Sequence, residues 1–309
     1  MRCLVSVSLF TLVTFTMSST SLAAPRAFFT CVSFNLLHGG VFSGRTGNEQ
    51  ELDRRLDMAA EELQALGADI IGLQEASTSA ERGNIVERLA TRLGFHYVYA
   101  PASFRLFSSE WINAFTSWVM NFTEGPAIIS RYPIVTWKAY DLPRCGRFTD
   151  PRVLLAAEIK VPGGHLHVLS THISGDPCHA RKVKELVLSY RNTLPVLLMG
   201  DFNATETSPA VRLLTKDTGL IDTFRFKNPT MAGATVWQQV NNPLPMVSRR
   251  VDYLFLLPGT TLPGHIRSSR VVLNSPRRLP DGRMLWPSDH YAVLTEIELS
   301  PLVIKLSGD

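Results

Sequence analysis

Beyond residue 24, no stretch approaches the roughly 18 uninterrupted apolar residues that a membrane-spanning helix requires, so the bulk of the chain reads as a soluble protein. Charge is scarce. Asp, Glu, Lys and Arg make up 19% of the residues, and the net charge is only +4. That excludes a disordered charged tail and a dedicated nucleic-acid coat, although an active-site groove needs only a local basic patch. There is no short-period repeat, no low-complexity tract and no heptad pattern, which excludes collagen and coiled-coil architectures. Cysteine is rare, at 4 residues. What is abundant is apolar side chain, 45% of 309 residues, ample for a full core. At roughly 150 residues per domain the length fits two domains or one large one, and the lack of a convincing linker favours one.

The N-terminus has a different character. Met1-Arg2 precedes an apolar stretch from Cys3 to Met17, and then a run rich in Ser, Thr and Ala ends at Ala23-Ala24. These are the parts of a secretory signal peptide, expected to be cut after residue 24 and to leave a domain of residues 25–309 in a secreted or periplasmic location. The alternative, an uncleaved anchor, has a core that is short for a span. Cys3 leaves with the signal. Export permits a disulfide among Cys31, Cys145 and Cys178. Two β-rich runs, from Arg152 to Ile159 and from His165 to Thr171, flank Pro162-Gly163-Gly164 and read as a hairpin. A turn near Pro162 sets Cys145 and Cys178 opposite one another, within bridging range. Cys31 then stays a buried free thiol. The alternative is three free thiols.

Periodicity supplies the remaining elements. Leu52, Leu56, Ala59, Leu63 and Leu66 predict a helix over 50–66, stopped by Gly67. Ile85, Leu89 and Leu93 mark another, stopped by Gly94, and Val183, Leu186, Val187 and Tyr190 share one face of a third. Strands are expected at 30–34, 69–73, 96–100, 126–130, 134–140, 195–199, 251–257 and 291–299. Helices alternate with strands but hairpins intervene, so the sheets should be mixed.

A pattern recurs where these strands end. Asn35 follows Cys31-Val-Ser-Phe34, Glu75 follows Ile70-Ile-Gly-Leu-Gln74, and His172 closes His167-Val-Leu-Ser-Thr171. Asp201 and Asn203 follow Val196-Leu-Leu-Met-Gly200. Asp252 is embedded in an apolar run, and Asp289-His290 open the last strand. Strand ends are where α/β proteins gather ligand groups. Taken as a set, Ser33-Phe-Asn35, Leu73-Gln-Glu75, Gly125-Pro-Ala-Ile-Ile-Ser-Arg-Tyr-Pro133, Ser170-Thr-His172, Gly200-Asp-Phe-Asn203, Val251-Asp-Tyr253 and Ser288-Asp-His290 resemble the endonuclease/exonuclease/phosphatase, or DNase I-like, superfamily. The resemblance runs from residue 33 to 290. It implies an α/β fold, a four-layer sandwich of two mixed β-sheets flanked by helices.

It also implies roles. Glu75 would be the main metal ligand, with Asn35 and Asp289 contributing directly or through water. A set of hard oxygens favours Mg²⁺, with Mn²⁺ as the second choice. His290 would be the acid/base, oriented by Asp252, whose burial in an apolar strand independently argues for a partner. Asp201 would activate the attacking water, Asn203 would bind the phosphate, and His172 would donate to a phosphoryl oxygen. His172 also turns the resemblance towards nucleases, sphingomyelinases and 5-phosphatases and away from abasic endonucleases. Arg152 lies near a position where some relatives place a phosphate-contacting residue.

Two further segments bear on substrate. Residues 103–122 are dense in aromatics and poor in charge, and read either as a helix packed on the core or as an apolar flap making peripheral membrane contact. Arg249, Arg250, Arg267, Arg270, Arg277, Arg278 and Arg283 read either as a phosphate-binding surface or as scattered solvated arginines. The expected protein is thus a secreted, metal-dependent phosphoesterase acting on a lipid headgroup such as sphingomyelin or a phosphoinositide. The alternatives are a nuclease acting on nucleic acid and an inactive binding protein using the same cleft. Nothing in the sequence implies an obligate protein partner.

Overall fold

Strand residues here alternate between two apolar environments rather than between core and water, and that pattern builds a layered molecule. The computed structural model describes residues 28–38, 51–79, 83–102, 123–145 and 151–299. The first half comprises β1 (Phe28–Asn35), α1 (Leu52–Ala65), β2 (Ile70–Ser79), β3 (Gly83–Asn84), α2 (Ile85–Leu93), β4 (His96–Tyr99), β5 (Thr123–Ser130) and β6 (Ile134–Asp141). Next come β7 (Val153–Val161), β8 (Gly164–His172), α3 (Pro177–Ser189), β9 (Val196–Asp201), α4 (Pro209–Thr215), β10 (Ile221–Asp222) and α5 (Thr223–Lys227). The chain closes with β11 (Asp252–Leu257), β12 (Gly264–Val272), β13 (Arg277–Arg278), β14 (Met284–Leu285) and β15 (Ala292–Leu299).

One sheet runs β12-β15-β1-β2-β5-β4, with β3 paired to β2, and the other runs β10-β11-β9-β8-β7-β6. Both are mixed: β1 and β2 are parallel, as are β8 and β9, and the other pairings are antiparallel. Phe29, Cys31, Ile70 and Ile128 of the first sheet meet Leu155, Val168, Leu197 and Leu254 of the second in a core between the sheets. The outer face of the first sheet, with Val32, Phe34, Ile71 and Leu73, packs on Leu56, Leu63 and Leu89 of α1 and α2. That of the second, with Leu154, Leu198 and Phe255, packs on Val183, Val187 and Val211 of α3 and α4. The result is the expected helix–sheet–sheet–helix sandwich.

Local chemistry sets the helix ends. Asn84 caps α2 by accepting from the N–H groups of Val86 and Glu87, and Gly94, at φ 70°, ends it. Asp176 caps α3 on Cys178 N–H, with Pro177 at the first helical position. Cys178 is bridged to Cys145 with Cα atoms 5.8 Å apart, while Cys31 is free and buried between the sheets. The disulfide thus ties the chain beyond β6 to the start of α3. Two differences from the sequence reading have plain causes. β12 has no strong apolar run because it is an edge strand, with Arg267 and Arg270 exposed. β2 continues past Leu73 to Ser79 through a register shift. Residues 1–24 and 103–122 lie outside the described residues.

Candidate active site

Side-chain alternation sets one phase for the site. Phe29 and Cys31 of β1, Leu166 and Val168 of β8, Leu197 and Met199 of β9, and Leu254 and Leu256 of β11 all face the opposite sheet. Counted by twos, the same inward rows reach the rim at Asn35, His172, Asp201 and Asp252. Register then aligns them: His172 pairs with Asp201 across β8 and β9, and Asp252 pairs with Asp201 across β11 and β9.

Glu75 follows a different rule. Its neighbour Gln74 is the inward residue, donating to Ser170 Oγ at 3.2 Å, so alternation alone would turn Glu75 to the outer face. The β2–β5 register shifts between Leu73 and Ala76, and Glu75 takes a left-handed φ of 54°. This bulge re-aims the carboxylate to the rim, where Oε1 accepts from Asn35 Nδ2 at 3.1 Å. Asn203 is likewise left-handed, at φ 48°, and its N–H donates to Asp201 Oδ1 at 2.8 Å. Such non-glycine conformations cost about 1–3 kcal/mol each and concentrate at functional sites.

The polar groups form one continuous cluster. Asn35 Nδ2 bridges Glu75 and Asp201, reaching Asp201 Oδ2 at 3.0 Å, while its Oδ1 accepts from Leu37 N–H. His172 Nε2 lies 3.3 Å from Asp201 Oδ2 and 2.9 Å from Asn203 Nδ2, which also donates to the Ile173 carbonyl. His290 Nδ1 meets Asp252 Oδ2 at 2.9 Å, leaving Nε2 3.7 Å from Asp201 Oδ2 and 4.0 Å from Asp289 Oδ1. Ser288 Oγ anchors this loop on the Asn35 carbonyl at 2.7 Å and accepts from His290 N–H. Asn35, Glu75, His172, Asp201, Asn203, Asp252, Asp289 and His290, the metal and catalytic residues named from the sequence, are thus brought together at the rim of the sandwich.

Burial shapes the proton affinities. It raises Asp201 to about 7, helped by the charge of Asp252 and opposed by His290 and the Asn203 N–H. Burial alone would lower His290, but Asp252, Asp201 and Asp289 overcome it and hold the imidazolium up to about 10. His172 is pushed well below its ordinary value by burial and by the positive charges of Arg152, His290 and His38. It is therefore a neutral imidazole. With Nε2 accepting from Asn203, its proton sits on Nδ1.

The donor set suits a hard divalent cation. Asp289 is raised by burial and, among its neighbours, by the charge of Glu75. A cation held by these two carboxylates relieves both effects. His38, Glu75 and Glu124 place three ligand atoms within 4.8 Å of one another, adding an imidazole that Mn²⁺ tolerates better than Mg²⁺.

His38, Glu124, Arg55 and Trp237 are site residues that sequence reasoning missed. His38 stands three places after Asn35 and Glu124 immediately precedes the Gly125 segment, so proximity to motifs was the available signal. Arg55, wholly buried in α1, donates to the carbonyls of Leu36, Leu37 and Pro287 and clamps the loops beside Asn35 and Asp289. Trp237 Nε1 donates to Asp289 Oδ2 at 2.6 Å. Arg152 lines the mouth with Glu75, Glu124 and His172. Of the C-terminal arginines, Arg249, Arg270 and Arg278 are exposed, while four are engaged in ion pairs. Arg250 is buried on Asp222 and Glu206, and Arg267, Arg277 and Arg283 pair with Glu298, Glu61 and Asp281. Of these, only Arg250 is withdrawn from the surface by its ion pairs.

A two-sheet sandwich with carboxylates, a neutral histidine and a carboxylate-backed imidazolium at one rim defines a hydrolase of phosphoric esters. The chain belongs to the endonuclease/exonuclease/phosphatase family, whose model matches residues 32–290. Its members are divalent-metal-dependent hydrolases. A mannosyl-6-phosphatase of Bacteroides thetaiotaomicron is similar in structure, at 20% identity and a TM-score of 0.65 over 88% of this chain and 99% of that one. So is the catalytic domain of human Nocturnin with bound sulfate, at 18% identity and a TM-score of 0.61 over 88% and 94%. D. rerio TDP2 complexed with single strand DNA product matches at 18% identity and a TM-score of 0.62 over 88% and 99%. At these identities the likeness is one of fold. Among curated proteins, none matches the chain in sequence.

Proposed function

We propose that this chain is an exported, Mg²⁺- or Mn²⁺-dependent phosphoesterase that hydrolyses a phosphodiester or phosphomonoester by in-line attack of water. The observation that carries the reading is the Asp252–His290–Asp201 line beside the Glu75–Asp289 carboxylates. Glu75 and Asp289 would hold the cation, which when bound would supply charge neutralisation and polarisation of a phosphoryl oxygen. Asp201, with its pKa near 7, accepts the attacking water's proton at Oδ2. His290 already carries its proton, so it acts by charge, keeping Asp201 ionised and stabilising the transition state through Nε2–H. His172 donates from Nδ1–H to a phosphoryl oxygen. Asn203, with both amide protons engaged on His172 and Ile173, orients that histidine.

A phospholipid headgroup ester, as in sphingomyelin or a phosphoinositide, is the first substrate class. Burial of Arg250 on Glu206 and Asp222 withdraws one of the C-terminal cations from any nucleic-acid backbone, and surface pairing weakens Arg267, Arg277 and Arg283. Export through residues 1–24 is supported by the disulfide. The test is hydrolysis of sphingomyelin, phosphoinositides, DNA and bis-p-nitrophenyl phosphate, each with Mg²⁺ and with EDTA. At least one should turn over with Mg²⁺ and stop in EDTA. Equal rates in EDTA would remove the metal from the reading, and inertness towards the whole panel would favour a binding protein.

A further inference from the structure

Trp237 is 64% exposed, yet it is among the best-anchored side chains at the rim. Its indole N–H is tied to Asp289 Oδ2 at 2.6 Å. The backbone is held on both sides: Val236 exchanges hydrogen bonds with Arg249, and Gln238 N–H donates to the Asp289 carbonyl at 2.8 Å. An aromatic ring left in water forgoes its burial energy, and an anchored one forms a rigid, pre-organised platform. The ring borders a hollow of about 230 Å³ lined by Leu37, residues 237–241 and Asp289.

The chemistry of this hollow is amide and apolar, with a single carboxylate at its border. No Lys or Arg lines it, and Asp289, its one ionisable group, is engaged by the indole. Gln238 is consumed internally, donating to the Gln239 and Leu244 carbonyls and accepting from Met246 N–H and Tyr291 Oη–H. Gln239 and Asn241 are exposed amides that can both donate and accept. A flat apolar face beside exposed amides matches an uncharged ring carrying hydroxyls or heteroatoms. A single aromatic face falls short of the cage of several rings that holds a quaternary ammonium.

We infer that Leu37 and residues 237–241 form a subsite for an uncharged ring in the alcohol portion of the phosphoester, with Trp237 as its stacking platform. This rests on the phosphoesterase reading and narrows it. Inositol, sugar and nucleoside phosphates fit the subsite, and phosphocholine esters do not exploit it.

Binding isolates this claim from turnover. In a His290→Ala background with Mg²⁺, calorimetry compares inositol 1-phosphate, mannose 6-phosphate and adenosine 5′-monophosphate with glycerol 3-phosphate and phosphocholine. At least one ring phosphate should bind about ten-fold more tightly than the two acyclic ligands, within the range of aromatic stacking. Trp237→Ala should erase that preference. Trp237→Phe, which keeps a ring but loses the N–H, should retain most of it. If ring and acyclic phosphates bind alike, if the preference survives Trp237→Ala, or if Phe loses as much as Ala, the subsite is wrong. Leu244 and Met246, 68% and 46% exposed, share the loop and test a lipid-surface role instead. If Leu244→Ser releases the protein from sphingomyelin/phosphatidylcholine vesicles while ring preference is absent, the loop serves a membrane and the inference falls. Failure of the phosphoesterase reading would show separately, as inertness of the wild type towards the hydrolysis panel.

Discussion

Asp252 is fully buried, with Oδ2 on His290 and Oδ1 without a hydrogen-bond partner among the described residues. A carboxylate so isolated is tolerable because its one partner is charged. Asp252→Asn keeps the shape and removes that charge, so kcat should fall at least about 10²-fold. His290→Ala should cost a similar amount, and the double variant little more, because the pair acts as a unit. Losses that multiply in steady-state kinetics would show the two to be independent. Glu75→Gln should behave differently, recovering part of its activity as Mg²⁺ is raised, since it weakens a ligand and leaves Asp201 and the Asp252–His290 charge pair intact. The same pair sets a pH dependence of stability. His290 is raised from 6.5 to about 10, so its stabilisation is complete below pH 6.5 and is lost as the pH rises to about 10. Asp201, raised from 3.8 to about 7, acts in the same direction over its lower window. In that lower window the depressed His172 acts in the opposite sense, so urea denaturation of the metal-free protein should show the clear fall in the upper window, and Asp252→Asn should flatten that limb. Residues such as Asn35, His172 and Asp201 were legible in the sequence because each stands where an apolar strand run ends. Trp237 was not, because what holds it is a loop bridged to Arg249 and Asp289, without periodicity. Arg250 looked like a surface cation because its partners Glu206 and Asp222 are distant in sequence.

Among the elements, α1, α2, α3 and the inner strands were legible from period and stop signals, while the short α4 and α5 and the β2 bulge were not. A left-handed Glu75 leaves no mark in composition, and its need arises only when β5 is laid against β2. The hairpin of β7 and β8 was legible through its Gly pair, and with it the bridge between Cys145 and Cys178. That bridge closes a loop spanning 33 positions, and replacing both cysteines by serine should lower stability by about 3–4 kcal/mol in urea titrations. Gly72 in β2 shows how tightly the layers meet: a Cβ there would lie 2.8 Å from Met199 Sδ and 3.0 Å from Met199 Cβ. Gly72→Ala should therefore destabilise by about 1–3 kcal/mol, measured in the same way.

At the scale of the molecule, neither sheet owns the site. The first supplies Asn35 and Glu75, and the second supplies His172, Asp201 and Asp252, while Asp289 and His290 precede the last strand of the first. The sandwich was legible through the order of the motifs more than through periodicity, because mixed sheets share their apolar patterns with simpler α/β folds. Cys31 adds a consequence in time. Its free thiol lies in the core between the sheets, and burial raises its pKa well above the ordinary thiol value. It reacts only when the layers part. During refolding, an alkylating reagent added in pulses would read sheet docking directly, while far-UV circular dichroism reads the formation of strands and helices. Since the catalytic groups are split across the same seam, regained hydrolysis should keep step with protection of Cys31 and trail the dichroism. Activity returning before the thiol is shielded would mean that the rim assembles ahead of the core beneath it.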